Sequence, residues 1–119
     1  MLKKAVLGGT AILLLAALFY LSLRRNWPYP NGGTIAHRVD HVGAFGVLAL
    51  LLLPLARSRR ETWLITAAIF CIACAMELLQ YHVFHLHRER QPLEWWDIRD
   101  DTVGLLLALL AARFTRLRT

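Results

Sequence analysis

The chain has 119 residues, of which 57% are hydrophobic and 18% charged, with a formal net charge of +6. That composition offers too little polar side-chain surface to coat a soluble domain of this size. The basic residues flank apolar runs without any groove-binding motif, so the high isoelectric point does not indicate a nucleic-acid partner.

The first predicted helix covers residues 5–23 and lies between Lys3-Lys4 and Arg24-Arg25. Its apolar run is too long for a secretory h-region, and no A-x-A cleavage site closes it, so a retained membrane helix is expected. Residues 24–40 hold Asn26, Pro28, Pro30, Asn31, Gly32 and Gly33, which read as an irregular loop. The second helix is expected over 41–56. It is short for a span and carries Pro54. The third, over 62–81, is long enough to cross a bilayer and holds one carboxylate, Glu77, with Gln80 one turn on. A carboxylate at the centre of such a helix costs roughly 2.5–3.5 kcal/mol on insertion scales, and less toward an end. The fourth, over 95–112, reaches spanning length only if Trp95 to Asp101 form its first turns. The fold expected is therefore an all-α integral membrane protein: four transmembrane helices in an N-in/C-in bundle, forming a single domain over 1–119.

Charge bias supports that orientation. Eight basic residues (Lys3, Lys4, Arg57, Arg59, Arg60, Arg113, Arg116, Arg118) fall on the proposed inner side and six (Arg24, Arg25, Arg38, Arg88, Arg90, Arg99) on the outer. The inner ones lie in short flanks, where the positive-inside rule is strongest. Tyr20, Trp27, Tyr29, Tyr81, Trp95 and Trp96 would form an outer aromatic belt, with Trp63 at the inner interface.

Four spans bring the start of helix two, the end of helix three and the start of helix four to one side. Asp40, His41, Glu77, Gln80, Arg88, Arg90, Asp97 and Asp101 therefore share one face of the membrane. Helical periodicity aligns Glu77 with Gln80 above Ala73 and Cys74, and Asp97 with Asp101 above Gly104, Ala108 and Ala112. The second stripe is polar at its top and small below, which permits close helix contact. Helix two offers His41, Phe45 and Leu48 on one side, and Gly43 and Gly46 for close approach.

The order His41-Val-Gly-Ala-Phe45, Glu77-Leu-Leu-Gln80, an arginine, then Asp97-Ile-Arg-Asp-Asp101-Thr-Val-Gly104 resembles the VanZ-like family of small integral membrane proteins. The resemblance covers roughly 37–112. It departs from the family pattern at His37 and Arg38, which stand where an Asp-Lys pair is common. Arg88 and Arg90 both compete for the single arginine position. The resemblance implies a polytopic protein of a bacterial inner or plasma membrane, linked in some members to glycopeptide (teicoplanin) resistance. His41, Glu77, Gln80, Arg90, Asp97 and Asp101 would form its polar cluster, with Asp40 and Arg88 as secondary candidates.

Such a cluster can be read in three ways. Buried ion pairs can simply fix helix register. Arginine forks and carboxylates can recognise phosphate and amine groups of a lipid headgroup, a lipid-linked envelope precursor or a glycopeptide. Asp97 or His41 as a base, with an arginine on phosphate, would make a membrane hydrolase or transferase. A proton-coupled exporter is the other alternative, on similarity in length and span number to small multidrug resistance transporters. Their essential glutamate lies in the first helix, where this chain has no acid.

The expectation is a binding protein rather than an enzyme, with membrane lipid and a second copy of the chain as partners. No catalytic residue, metal or cofactor is assigned. His82, His85 and His87 do not match a zinc spacing, and Cys71 and Cys74 lie mid-helix, where burial suppresses thiol reactivity.

Overall fold

The computed structural model describes residues 1–23, 35–83 and 95–117. Among them the chain forms α1 (Leu2–Leu23), α2 (Ile35–Leu52), a 3-10 turn (Leu53–Leu55), α3 (Arg59–His82) and α4 (Trp95–Leu117). There is no strand among the described residues.

Local chemistry sets the joint between α2 and α3. Pro54 brings no N–H for an α-helical bond and clashes with the preceding turn, so α2 ends at Leu52 and tightens into the 3-10 turn. Ala56 is then extended, and Ser58 caps α3: its Oγ accepts from the Glu61 backbone N–H at 3.1 Å. Glu61 reaches back and accepts from the Arg57 backbone N–H at 2.6 Å, a variant of the reciprocal Ser-x-x-Glu cap.

Three helical stretches, Leu2–Leu23, His37–Leu55 and Arg59–His82, are long and apolar enough to cross a membrane. The 22 residues of α1 and 24 of α3 give rods of roughly 33–36 Å, longer than the roughly 30 Å hydrocarbon core of a bilayer. α4 matches them in length, at 23 residues, but not in apolarity. Asp97, Arg99, Asp100 and Asp101 occupy its first two turns.

α2 and α4 run parallel side by side and form the best-packed pair. Phe45, Leu48, Ala49 and Leu53 of α2 pack into a core with Ile69, Ala73 and Met76 of α3, Leu105 and Ala108 of α4, and Ala11 of α1. The helices touch most closely where two glycines meet. A Cβ at Gly46 would lie 3.3 Å from the Gly104 carbonyl oxygen, and one at Gly104 would land on the Val42 carbonyl oxygen. Gly43, expected to share this role, faces open space. The molecule measures 46 × 24 × 24 Å, and large apolar side chains such as Ile12, Leu13, Leu64, Leu106 and Leu110 are exposed along the helices.

The expected boundaries at 5–23, 62–81 and 95–112 are extended by a few residues each. The largest correction is at α2, which starts at Ile35 rather than His41. This places His37 and Arg38 on a helix instead of in a loop.

Candidate functional site

The polar residues gather at the end of the bundle where α2 and α4 begin and α1 and α3 end. Because α2 and α4 are parallel, their first turns keep one register: His37 faces Asp97 and His41 faces Asp101, each pair 60 residues apart in sequence. In both helices the two residues are i,i+4, so each pair sits on one stripe.

Nδ1 of His41 lies 2.7 Å from Oδ1 of Asp101, and Nε2 of His37 lies 3.1 Å from Oδ1 of Asp97. Since a carboxylate only accepts, both imidazoles donate at these atoms. Nε2 of His41 is 3.6 Å from the other Asp97 oxygen, Oδ2. The two rings meet edge to face with centroids 4.5 Å apart. Asp97 is thus shared by both histidines, while Asp101 holds only one edge of His41.

A second carboxylate group sits beside the first. Asp100 accepts from Nε of Arg38 at 3.3 Å and from Nε and Nη2 of Arg99 at 3.0 and 2.8 Å. Its own side chain is 5% exposed, whereas those of Arg38 and Arg99 are 53% and 42% exposed. The Arg99 guanidinium also lies 4.7 Å from the centre of the Trp96 ring, a cation–π contact. Two guanidiniums are therefore anchored from below and open above. Asp97 lies in the first turn of α4, where unsatisfied backbone N–H groups favour negative charge, and Asp100 and Asp101 follow in the second turn.

Glu77 is 2% exposed on α3 and lies within electrostatic reach of His41. A carboxylate buried this deeply is stable only inside a polar network. Gln80 joins a different structure: its Nε2 donates to the Ser22 carbonyl at 2.7 Å, satisfying one of the last carbonyls of α1.

Of the residues expected in the cluster, the structure brings together His41, Glu77, Asp97 and Asp101. Gln80 instead ties α3 to α1, and Asp40 is exposed. Arg88 and Arg90 lie outside the described residues. His37, Arg38, Arg99 and Asp100 were not foreseen as members. The signal for His37 was present in the matched i,i+4 pairs His37/His41 and Asp97/Asp101, but the Pro- and Gly-rich stretch before it marked the region as loop.

Chemically, the end of the bundle offers two kinds of site. The arginine pair on Asp100 suits an anion. His37, His41 and Asp97 each bring one ligand atom within 4.8 Å of the others, a separation that metal coordination can close. Of the histidines at 82, 85 and 87, set aside as a metal group on their spacing, only His82 is described; it is exposed and lies edge-on against Tyr81. Both cysteines are free thiols, with Cys71 exposed on the outer surface of α3 rather than packed in the core. Comparison with protein-family models, curated proteins and solved structures yields no match for this chain.

Proposed function

We propose that this is a small integral membrane protein of the VanZ-like type, with α4 as a fourth span and both termini cytoplasmic. Its polar end recognises an anionic component of the cell envelope at the outer leaflet. The bacterial inner or plasma membrane is the compartment that this reading requires. The observation that carries it is the pair of half-exposed guanidiniums, Arg38 and Arg99, both fastened to the buried Asp100 carboxylate. Pre-oriented arginine forks at headgroup depth match the geometry of phosphate oxygens. Exposed Tyr20, Trp95 and Trp96 at the same end, with exposed Trp63 at the other, support that depth as aromatic belts do. α4 is admitted as a span because its acids lie at one end and face α2, leaving Leu106, Leu107 and Leu110 exposed to lipid.

The test is lipid binding by the purified protein, using nanodiscs of phosphatidylcholine doped with phosphatidylglycerol or with a polyprenyl phosphate. Arg38→Ala/Arg99→Ala should lower affinity for the anionic lipid by roughly tenfold or more, given about 1.5–3 kcal/mol for a hydrogen bond to a charged group. Glu77→Gln, Arg90→Ala and Asp97→Asn should reach the membrane at wild-type levels and lose any protection against glycopeptides. Equal affinity for anionic and zwitterionic lipid, together with unchanged drug susceptibility in all three variants, overturns the proposal.

One observation favours a second reading. His41 is held on its Nδ1 edge by Asp101 and presents Nε2, the arrangement of an oriented general base. A hydrolase or transferase acting on lipid phosphate would use it. Turnover of a polyprenyl diphosphate or phospholipid by the purified protein, lost in His41→Gln, is the outcome that would favour it.

A further inference from the structure

The His37–His41–Asp97 group has properties that neither helix packing nor anion recognition requires. Its donor set is two imidazoles and one carboxylate, drawn from adjacent turns of two parallel helices. The separations are near those of a coordination sphere. Ligand atoms bound to a tetrahedral ion at 2.0–2.2 Å lie roughly 3.3 Å from one another. Here His37 Nε2 is 3.1 Å from Asp97 Oδ1, and His41 Nε2 is 3.6 Å from Asp97 Oδ2. All three ligand atoms fall within 4.8 Å, so coordination needs only a modest inward shift of side chains that are already partly or fully buried.

Orientation supplies the second argument. A metal-binding histidine usually donates its other ring N–H to a carboxylate, which fixes the tautomer and makes the free nitrogen a better donor. Asp101 does this to His41: the 2.7 Å bond keeps a proton on Nδ1 and turns Nε2 toward Asp97, where a metal would displace any proton it carries. The positive ends of α2 and α4 oppose a cation, but each amounts to about half an elementary charge. The full negative charges of Asp97 and Asp101 outweigh them.

From this geometry we propose that His37, His41 and Asp97 bind a divalent transition-metal ion, zinc(II) in the first instance, with Asp101 positioning His41. Three protein ligands leave a fourth position for water or for an oxygen of an anionic ligand, the pattern of an open rather than a closed zinc site. On binding, His37 exchanges its Nε2–H tautomer for the Nδ1–H tautomer through solvent, so that the ring stays neutral and the metal takes the Nε2 lone pair. The softer ligands Cys71 and Cys74 take no part, since they lie farther along α3 toward its middle. This site does not depend on the anion-recognition reading, because Arg38, Arg99 and Asp100 are not among its ligands.

The experiment is zinc and cobalt(II) titration of the full chain in detergent or nanodiscs. The expected result is one equivalent of zinc per chain, and cobalt(II) absorption of a four-coordinate nitrogen/oxygen site with no thiolate charge-transfer band. His82→Ala/His85→Ala/His87→Ala and Arg38→Ala/Arg99→Ala should retain that equivalent. His37→Gln and Asp97→Asn should lose it, and Asp101→Asn should weaken affinity between about 10- and 100-fold. His37→Gln is a near-isosteric change, so it remains informative if Asp97→Asn does not fold. Failure of the folded wild-type chain to bind zinc at micromolar free concentration overturns the proposal. Binding that survives His37→Gln or vanishes with the His82/His85/His87 variant does so as well.

Discussion

At the scale of residues, the polar end separates into groups with different tasks, and their energetic signatures should differ. His41 and Asp101 share a 2.7 Å hydrogen bond with the Asp101 side chain 3% exposed. Charge-assisted hydrogen bonds contribute about 1.5–3 kcal/mol in soluble proteins. Interhelical polar bonds in membranes average about 0.6 and reach about 1.7 kcal/mol, because the unfolded helices also find partners in the membrane. A double-mutant cycle on His41→Ala and Asp101→Asn should therefore give a coupling of about 1–2 kcal/mol, read from reversible unfolding in mixed micelles. Additive effects would mean that the pair does not link α2 to α4. Gln80 behaves differently. It satisfies the Ser22 carbonyl at the end of α1, so Gln80→Leu should cost about 1 kcal/mol and leave lipid and metal binding at wild-type levels. A large loss of either binding activity would return Gln80 to the cluster. Sequence spacing paired it with Glu77 correctly on one helix. It could not reveal that a carbonyl of α1 stands closer than the aspartates of α4.

At the scale of elements, the contact between α2 and α4 depends on Gly104. Small residues spaced along a helix let two backbones approach until side chains no longer separate them. Here the approach is close enough that a Cβ on Gly104 meets the Val42 carbonyl oxygen and the Gly46 nitrogen, both backbone atoms that cannot swing aside. Gly104→Ala should destabilise the protein by about 1–3 kcal/mol, the range for overpacking a filled contact, and should also shift α4 enough to disturb the His41–Asp101 bond. Gly43→Ala is the control. It faces open space, and alanine is better than glycine in a helix by about 1 kcal/mol, so stability should hold or rise. The sequence alone ranked these two glycines equally. The stripe of Asp97, Asp101, Gly104 and Ala108 was legible from the 3.6-residue period, and all four are buried. The beginning of α2 was not legible. Pro28, Pro30, Gly32 and Gly33 led to an expected loop over 24–40; residues 24–34 lie outside the described residues, and nothing local in the sequence marked Ile35 as the start of α2. Tertiary pairing of His37 with Asp97 and of Arg38 with Asp100 accompanies the extra helical turns.

At the scale of the whole molecule, the orientation of the bundle decides which compartment the polar end samples. The 46 Å long axis matches the roughly 40–45 Å thickness of a bilayer with its headgroup regions. Under the proposed membrane reading, the end bearing His37, His41, Asp97 and Asp101 would reach the interface rather than the hydrocarbon centre. Four helices were legible from apolar run lengths. The polar first turns of α4 set it apart from the other three, because its acids serve the contact with α2. Orientation rests on the basic flanks: Arg57, Arg59 and Arg60 stand in and beside the short joint between α2 and α3, where such charges weigh most. In a background with Cys71 and Cys74 changed to alanine, Ser58→Cys should react with a membrane-impermeant maleimide only after the membrane is opened. Trp96→Cys, exposed at the opposite end, should react from outside in intact cells. The inverse pattern would place the guanidinium pair and the histidine–aspartate group on the cytoplasmic face. Recognition of an outer-leaflet envelope component would then fail, whereas zinc binding by the purified protein would be untouched, because its ligands come from one chain whichever way that chain is threaded.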